Sequence, residues 1–369
     1  MKKIILAAVA CVAMGFAFAE GSAWDVNGYF RSGIEGNTEG KNVKTKTFKD
    51  GKYYGNGTSR ARLNINFTQE EYGFKFRYQN EKFGWENQSA TDKNNWFNSS
   101  NISYMFGYAK FCDGKIVAEA GKLMDFYTQS EARFEYQAIG DYGVRAVVVP
   151  VDGLFLSAAA TTYRAETYAA DDDEVVDRKA TVGNIKFNEK LLTLSAKYKH
   201  EKFTVAGGYN LAGEAYGFFA LKAVPNLKFN VEARYWDKDI SGKLDGDDKA
   251  TSYTEAWELV NYNFKGMGLP LEAGVYFHQT LVKDDNVIEF YPHLSYAIND
   301  VVSPEFEVGI IQYSNGDKHK DKDGEKQTMS FNVTPSVKFT AGKRATVKVY
   351  YNYDKNDKSS FGTTLRVNY

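Results

Sequence analysis

The chain is poor in the residues that stabilise small secreted domains. It has two cysteines in 369 residues. Cys11 lies in an apolar N-terminal run, so beyond that run only Cys112 remains and no internal disulfide can form there. Proline numbers only 6, so little interrupts long backbone ladders. After the N-terminus no apolar run is long enough for a helix to span a bilayer. Neither sign of charge dominates: 46 Lys and Arg stand against 47 Asp and Glu, a formal net charge of -1. That balance argues against a nucleic-acid binder. No break in composition marks a second domain.

What is present is aromatic. Tyr and Phe number 26 each, in a chain that is polar on average. A transmembrane barrel combines these properties, because one strand face meets lipid, the other meets water, and aromatics mark both interfaces. The first residues read as an export signal: Lys2 and Lys3, an apolar stretch from Ile4 to Phe18, and small residues around Ala17 and Ala19. Residues 1–19 are therefore expected to be removed, leaving a barrel over 20–369. An uncleaved membrane anchor is the alternative.

The period is two almost throughout. Ala61, Leu63, Ile65 and Phe67 alternate with Arg60, Arg62, Asn64 and Asn66; Phe74, Phe76 and Tyr78 alternate with Lys75, Arg77 and Gln79. Val144, Ala146 and Val148 alternate with Arg145, Val147 and Val149, then Pro150 to Gly153 turn the chain into Leu154, Leu156, Ala158 and Ala160. Such alternation punctuated by Pro/Gly turns reads as antiparallel strands. The connections fall into a short, turn-forming set and a long, charged set, which places short turns at one barrel end and long loops at the other. The expected fold is all-β, an antiparallel transmembrane barrel of about 18 strands, with 16 as the alternative. Pro292 and Pro335 lie inside expected strands and call for bulges or shorter strands. The connection between Leu123 and Tyr142 is unusually long for paired strands, and such loops commonly have a function. We read it, at about 124–141, as a loop folded into the barrel mouth.

This organisation resembles that of the general diffusion porins of Gram-negative outer membranes. The long loop falls between the fifth and sixth strands, as the constriction loop does in that family. The hairpin GVRAVVVPVDGLFLSAAAT is similar to the family's strand-turn-strand at this point. The last strand, Phe361 to Tyr369, alternates and ends on an aromatic, with Tyr where the family usually has Phe. The resemblance implies a passive channel for small hydrophilic solutes and ions, a homotrimer in contact with outer-membrane lipids and lipopolysaccharide, and recognition of the chain end by the barrel assembly machinery.

If apolar faces meet lipid, the water-facing set near the first and last strands is basic: Arg31, Arg62, Lys75, Arg77, Lys338, Lys348 and Arg366. The long loop contributes Asp125, Glu131, Glu135 and Asp141. Facing charges of opposite sign across a narrow opening create a transverse field. Glu232, Glu272, Glu289 and Glu307 lie farther round. Tyr29, Trp236, Tyr276, Tyr291 and Tyr350 are candidates for an aromatic track, which a sugar- or anion-selective channel would use. A barrel that only displays surface loops is a third reading.

Enzymatic chemistry is thin. His278 and His293 fall on neighbouring strands, where two imidazoles hold a metal if they converge; the commoner role is that of polar wall residues. No serine, histidine and acid are spaced as a triad. Around Asp321, Asp323 and Glu325 a calcium loop fails, since His319 and Ser330 occupy positions that need acids. No catalytic residue, metal or cofactor is expected.

Overall fold

The computed structural model describes residues 23–37, 43–44, 60–80, 102–123, 143–161, 192–211, 213–237, 243–244, 250–283, 285–319, 324–355 and 359–369. The export segment, residues 1–19, and the reading of residues 124–141 as a folded loop lie outside the described residues.

Eighteen long strands form the barrel. They are β1 (Ala23–Asn37), β2 (Arg60–Thr68), β3 (Tyr72–Asn80), β4 (Ile102–Phe111), β5 (Ile116–Lys122) and β6 (Gly143–Val148). Next come β7 (Leu154–Thr161), β8 (Leu192–Lys199), β9 (Phe203–Asn210), β10 (Glu214–Leu221), β11 (Leu227–Trp236) and β12 (Tyr253–Asn263). The last are β13 (Leu271–Val282), β14 (Val287–Tyr296), β15 (Val302–Tyr313), β16 (Met329–Ala341), β17 (Ala345–Asp354) and β18 (Ser360–Asn368). Every strand pairs antiparallel with its sequence neighbours, and β1 pairs with both β2 and β18. The sheet therefore closes and has no free edge, the condition for placing strands in lipid.

The start of β1, the end of β18 and the short turns share one end. Cys112 and Asp113 take left-handed backbone (φ 54° and 57°) in the turn after β4, the geometry that a tight hairpin requires. The other end carries the long connections, together with short ones after β9 and β13.

Alternation sets the two faces. Met105, Val144, Val148, Leu156, Leu194, Phe290, Leu294, Phe306, Val347 and Val349 are exposed on the outside. Between them, Arg77, Glu119, Arg145, Asn230, Glu232, Asn332 and Thr364 turn inward and are buried. Aromatic contacts run along the outer rim at the short-turn end: Trp24 with Phe67 at 4.5 Å, Phe203 with Phe219 at 6.3 Å, and Phe219 with Phe229 at 6.4 Å between ring centroids. This is the position of an interfacial girdle.

The seam is held at its end by the last residue. Gly28 and Tyr369 exchange backbone hydrogen bonds of 3.0 and 3.1 Å. The Tyr369 hydroxyl reaches past β1 and donates to the Arg62 carbonyl at 2.7 Å. A Cβ on Gly28 would lie 2.1 Å from that carbonyl oxygen and 2.9 Å from the Tyr369 ring, so the ring requires glycine beneath it.

Pro292 and Pro335 produce neither bulges nor short strands. The β14–β15 ladder pairs Phe290 with Ile310 and His293 with Glu307, omitting the rungs at Tyr291 and Pro292 without changing register. The β16–β17 ladder skips Thr334 and Pro335 in the same way, between Val333–Tyr353 and Ser336–Tyr350. Proline lacks the donor, and the cost is a local gap in one ladder. The register shift that does occur is between Arg77 and Tyr78, against β4.

Candidate functional site

The candidate site is the inner wall. Its seam side is built by β18, β1, β2 and β3. Arg31 pairs in the backbone ladder with Arg366 on one side and Arg60 on the other. Tyr29, two residues earlier and on the same face, serves as a platform: the guanidinium carbons of Arg62 and Arg366 lie 5.2 and 4.5 Å from its ring centroid. Arg62 donates to Gln79 at 2.7 Å, Arg77 to Asn64 at 2.8 Å, and Arg366 to Asn368 at 3.0 Å. Arg77 also lies 4.8 Å from the Tyr104 ring centroid. Amides and rings orient these guanidinium groups. Lys75 faces the same interior from β3, one alternate position before Arg77.

Lys338 and Lys348 share the wall but are held differently. Both reach Glu305, at 2.6 and 3.0 Å. The carboxylate of β15 thus sits between two ammonium groups.

Farther round, charges meet in pairs. Arg234 donates to Glu232 from Nε and Nη2 at 3.1 and 3.0 Å. His278 contacts Glu289 at 2.8 Å. Asn261 donates to Glu272 at 2.7 Å. Glu307 is buried on β15, opposite His293 in the ladder. His278 and His293 do not converge: His278 pairs with Glu289 and His293 with Gly274, several rungs apart. Among the described residues no group of three metal-ligating side chains gathers.

The entrance of the long connection was only partly legible. Glu119 on β5 and Arg145 on β6 are direct ladder partners. They form a buried ion pair, with Arg145 Nε donating to Glu119 at 2.6 Å. Both stand at inward positions of the strands that flank the loop, a signal that sequence reading could have used. Beyond them Gly121 takes φ +133°, and a Cβ there would lie 2.3 Å from the Met105 carbonyl oxygen. Alternation breaks at this glycine: Lys122 and Leu123, consecutive in sequence, are both buried. Leu123 packs with Tyr104 and Phe106 of β4 and Ala159 of β7, so the chain enters the connection from the inner side. Asp125, Glu131, Glu135 and Asp141 lie outside the described residues.

Aromatics line β11 to β14. Trp236 stacks on Tyr253 at 4.3 Å and 6°, and Trp257 on His278 at 5.2 Å and 4°. Tyr276 and Tyr291 stack at 6.1 Å. Of the five expected track residues, Tyr276, Tyr291 and Tyr350 are buried at 0, 4 and 3% exposure. Their faces form the wall itself.

No family model and no curated protein matches the sequence. Solved structures do match. Pseudomonas aeruginosa OccK11 (OpdR) aligns with a TM-score of 0.50 at 8% identity, over 95% of this chain and 96% of that one. A mutant of the Rh. blastica porin aligns at 0.41 and 13% identity, over 94% and 100%. A loop-deletion mutant of OmpT, an outer membrane protein of Vibrio cholerae, aligns at 0.42 and 14% identity, over 95% and 100%. At these identities the likeness is one of fold. The closed ladder, the faces and the alignment with OccK11 together establish that the chain has the porin-like fold of outer-membrane β-barrels.

Proposed function

We propose that the protein is an outer-membrane diffusion channel for small hydrophilic solutes and ions. The observation that carries this reading is the sorting of side chains in a closed barrel: charged and amide groups inside, aliphatic and aromatic groups outside. A polar interior is what distinguishes a water-filled conduit from a packed core. The connection after Leu123 narrows the conduit, a reading supported by the inward packing of Leu123 on Tyr104, Phe106 and Ala159. In this reading Asp125, Glu131, Glu135 and Asp141 face the basic wall of Arg31, Arg62, Lys75, Arg77, Lys348 and Arg366. The chain acts without catalysis, after export and removal of residues 1–19. It sits among outer-membrane lipids and lipopolysaccharide, assembled through its C-terminal strand, and associates as a homo-oligomer, a trimer by family resemblance.

A second reading, a sugar- or anion-selective channel, draws on the stacked rings of β11 to β14. The burial of Tyr276, Tyr291 and Tyr350 leaves few ring faces for a solute to slide on, which favours the unselective channel. The test is reconstitution in planar bilayers under a salt gradient. Steady ohmic current that is not blocked by low concentrations of a sugar supports diffusion. Absence of current, with the barrel intact by circular dichroism, refutes it.

A further inference from the structure

Three lysines stand side by side at the short-turn mouth, half the barrel away from the seam. Lys222, the residue after β10, donates its backbone N–H to the Lys202 carbonyl at 2.7 Å, one rung beyond the Phe203–Leu221 pair. Lys228 on β11 precedes Phe229, the partner of Leu221, so it takes the next place in the same row. Thr204, Ala220 and Asn230 lie two positions deeper on the same strands, pair as one row and are buried. Parity therefore puts the three lysines on the inward face. All three are exposed, and so is Lys199 of β8, which pairs with Thr204. Among the described residues the ammonium groups of Lys199, Lys202 and Lys228 have no partner.

Like charges directly opposite one another, on strands about 4.8 Å apart, destabilise a sheet. The nearby acids are committed elsewhere or lie in turns. Glu232 accepts from Arg234, Glu272 accepts from Asn261, and Asp152 and Glu201 lie in the turns before β7 and β9. The row behind the lysines is also incomplete. Thr204 and Asn230 are 1 and 2% exposed, and among the described residues the Thr204 hydroxyl and the Asn230 amide nitrogen have no hydrogen-bond partner. Ammonium groups, a hydroxyl and an amide N–H all donate, so the place they share calls for a negatively charged acceptor.

We propose that the inner wall of β8 to β11 at the short-turn mouth is an anion site that takes a multivalent, phosphate-bearing solute. An ammonium is a compact point charge suited to phosphate oxygens. An anion with several oxygens spans ammonium groups on neighbouring strands and also accepts from Thr204 or Asn230. Chloride, a single centre, bridges no such row. The lysines face the lumen, so a dissolved solute reaches them and a lipid headgroup does not. The inference rests on the reading as a channel, in which solutes enter the interior, and adds a place where one class of them is held.

The test uses the full chain in a neutral, lipid-free detergent, with inorganic pyrophosphate as the probe. Isothermal titration calorimetry at low salt is expected to show binding that Lys202→Gln with Lys228→Gln weakens at least ten-fold and Thr204→Val several-fold. Lys228→Gln alone serves if the double variant fails to assemble. Pyrophosphate is likewise expected to raise the melting temperature of the unaltered protein and not that of the double variant, since a ligand stabilises the state that binds it. In planar bilayers the exposed Cys112 thiol, in the turn after β4, marks the short-turn side for an impermeant maleimide. Pyrophosphate is expected to reduce current at ten-fold lower concentration from that side, and equal block from both sides overturns the placement. Binding that is unchanged in the double variant, or steady current in a protein that binds no pyrophosphate, overturns the site and leaves the channel standing. Binding that the variants weaken, in a protein that passes no current, supports the site and overturns the channel instead.

Discussion

The seam wall and the wall from β11 to β15 are both polar, but the contacts described on them differ in kind. At the seam, Arg62, Arg77 and Arg366 rest on amides and rings: Gln79, Asn64, Asn368, Tyr29 and Tyr104. On the other side Arg234 meets Glu232 and His278 meets Glu289, and between the two walls Lys338 and Lys348 of β16 and β17 share Glu305 of β15. Neutral supports orient a cation and add no opposing charge of their own. Carboxylate partners fix the geometry but cancel the field at a distance, the more so in salt, where screening is effective within about 8–10 Å. The contacts described at the seam thus orient charge, and those described on the far wall pair it. The buried Glu119–Arg145 pair follows the second pattern, beside the loop entrance.

The sharpest way to break this contrast is to halve a matched pair. Glu119→Ala leaves the Arg145 charge buried without its carboxylate, and the loss expected is about 3–5 kcal/mol. Denaturant unfolding in detergent micelles measures it; a loss below 1 kcal/mol would show that the pair is not structural. Next is charge reversal at the seam. Arg62→Glu with Arg77→Glu is expected to move ion preference toward cations by on the order of ten-fold, since several unit charges change within a few ångströms of the path. Reversal potential under a salt gradient reads this directly, and an unchanged value removes both residues from the ion path. Smaller is the seam lock: Tyr369→Phe removes one hydrogen bond to the Arg62 carbonyl, worth about 1 kcal/mol, seen as a lower midpoint for heat-induced loss of the folded band. Smallest is Glu289→Gln, which keeps a hydrogen-bonding group beside His278. Conductance and ion preference are expected to change less than two-fold, and a large change would show that the far wall also steers ions.

Much of the fold is legible in the chain because period two is a local property. Residues such as Arg62 and Leu63 carry their face assignment without reference to any distant partner. The turn chemistry at Cys112 to Gly114 and at Pro150 to Gly153 is equally local, and with the alternation it yields the strand count. The prolines mislead, because sequence reasoning treats a missing donor as a broken strand. In the barrel, Pro292 and Pro335 face outward, and each leaves the ladder on its other side intact, Pro292 against Val275 and Pro335 against Phe306. The basic wall is half legible. Inward positions follow from parity, but the Glu305 carboxylate that engages Lys338 and Lys348 depends on register between strands.

Alternation, turn residues and the division into short and long connections determine by themselves a closed barrel with a polar interior. Each is written into a few neighbouring residues, and the bilayer selects for it residue by residue. Only the tertiary structure decides which charges meet, where the seam is locked across 307 residues by Tyr369 and Arg62, and that Gly121 turns the chain inward. Those outcomes depend on register and closure, which bring together groups that no local pattern relates.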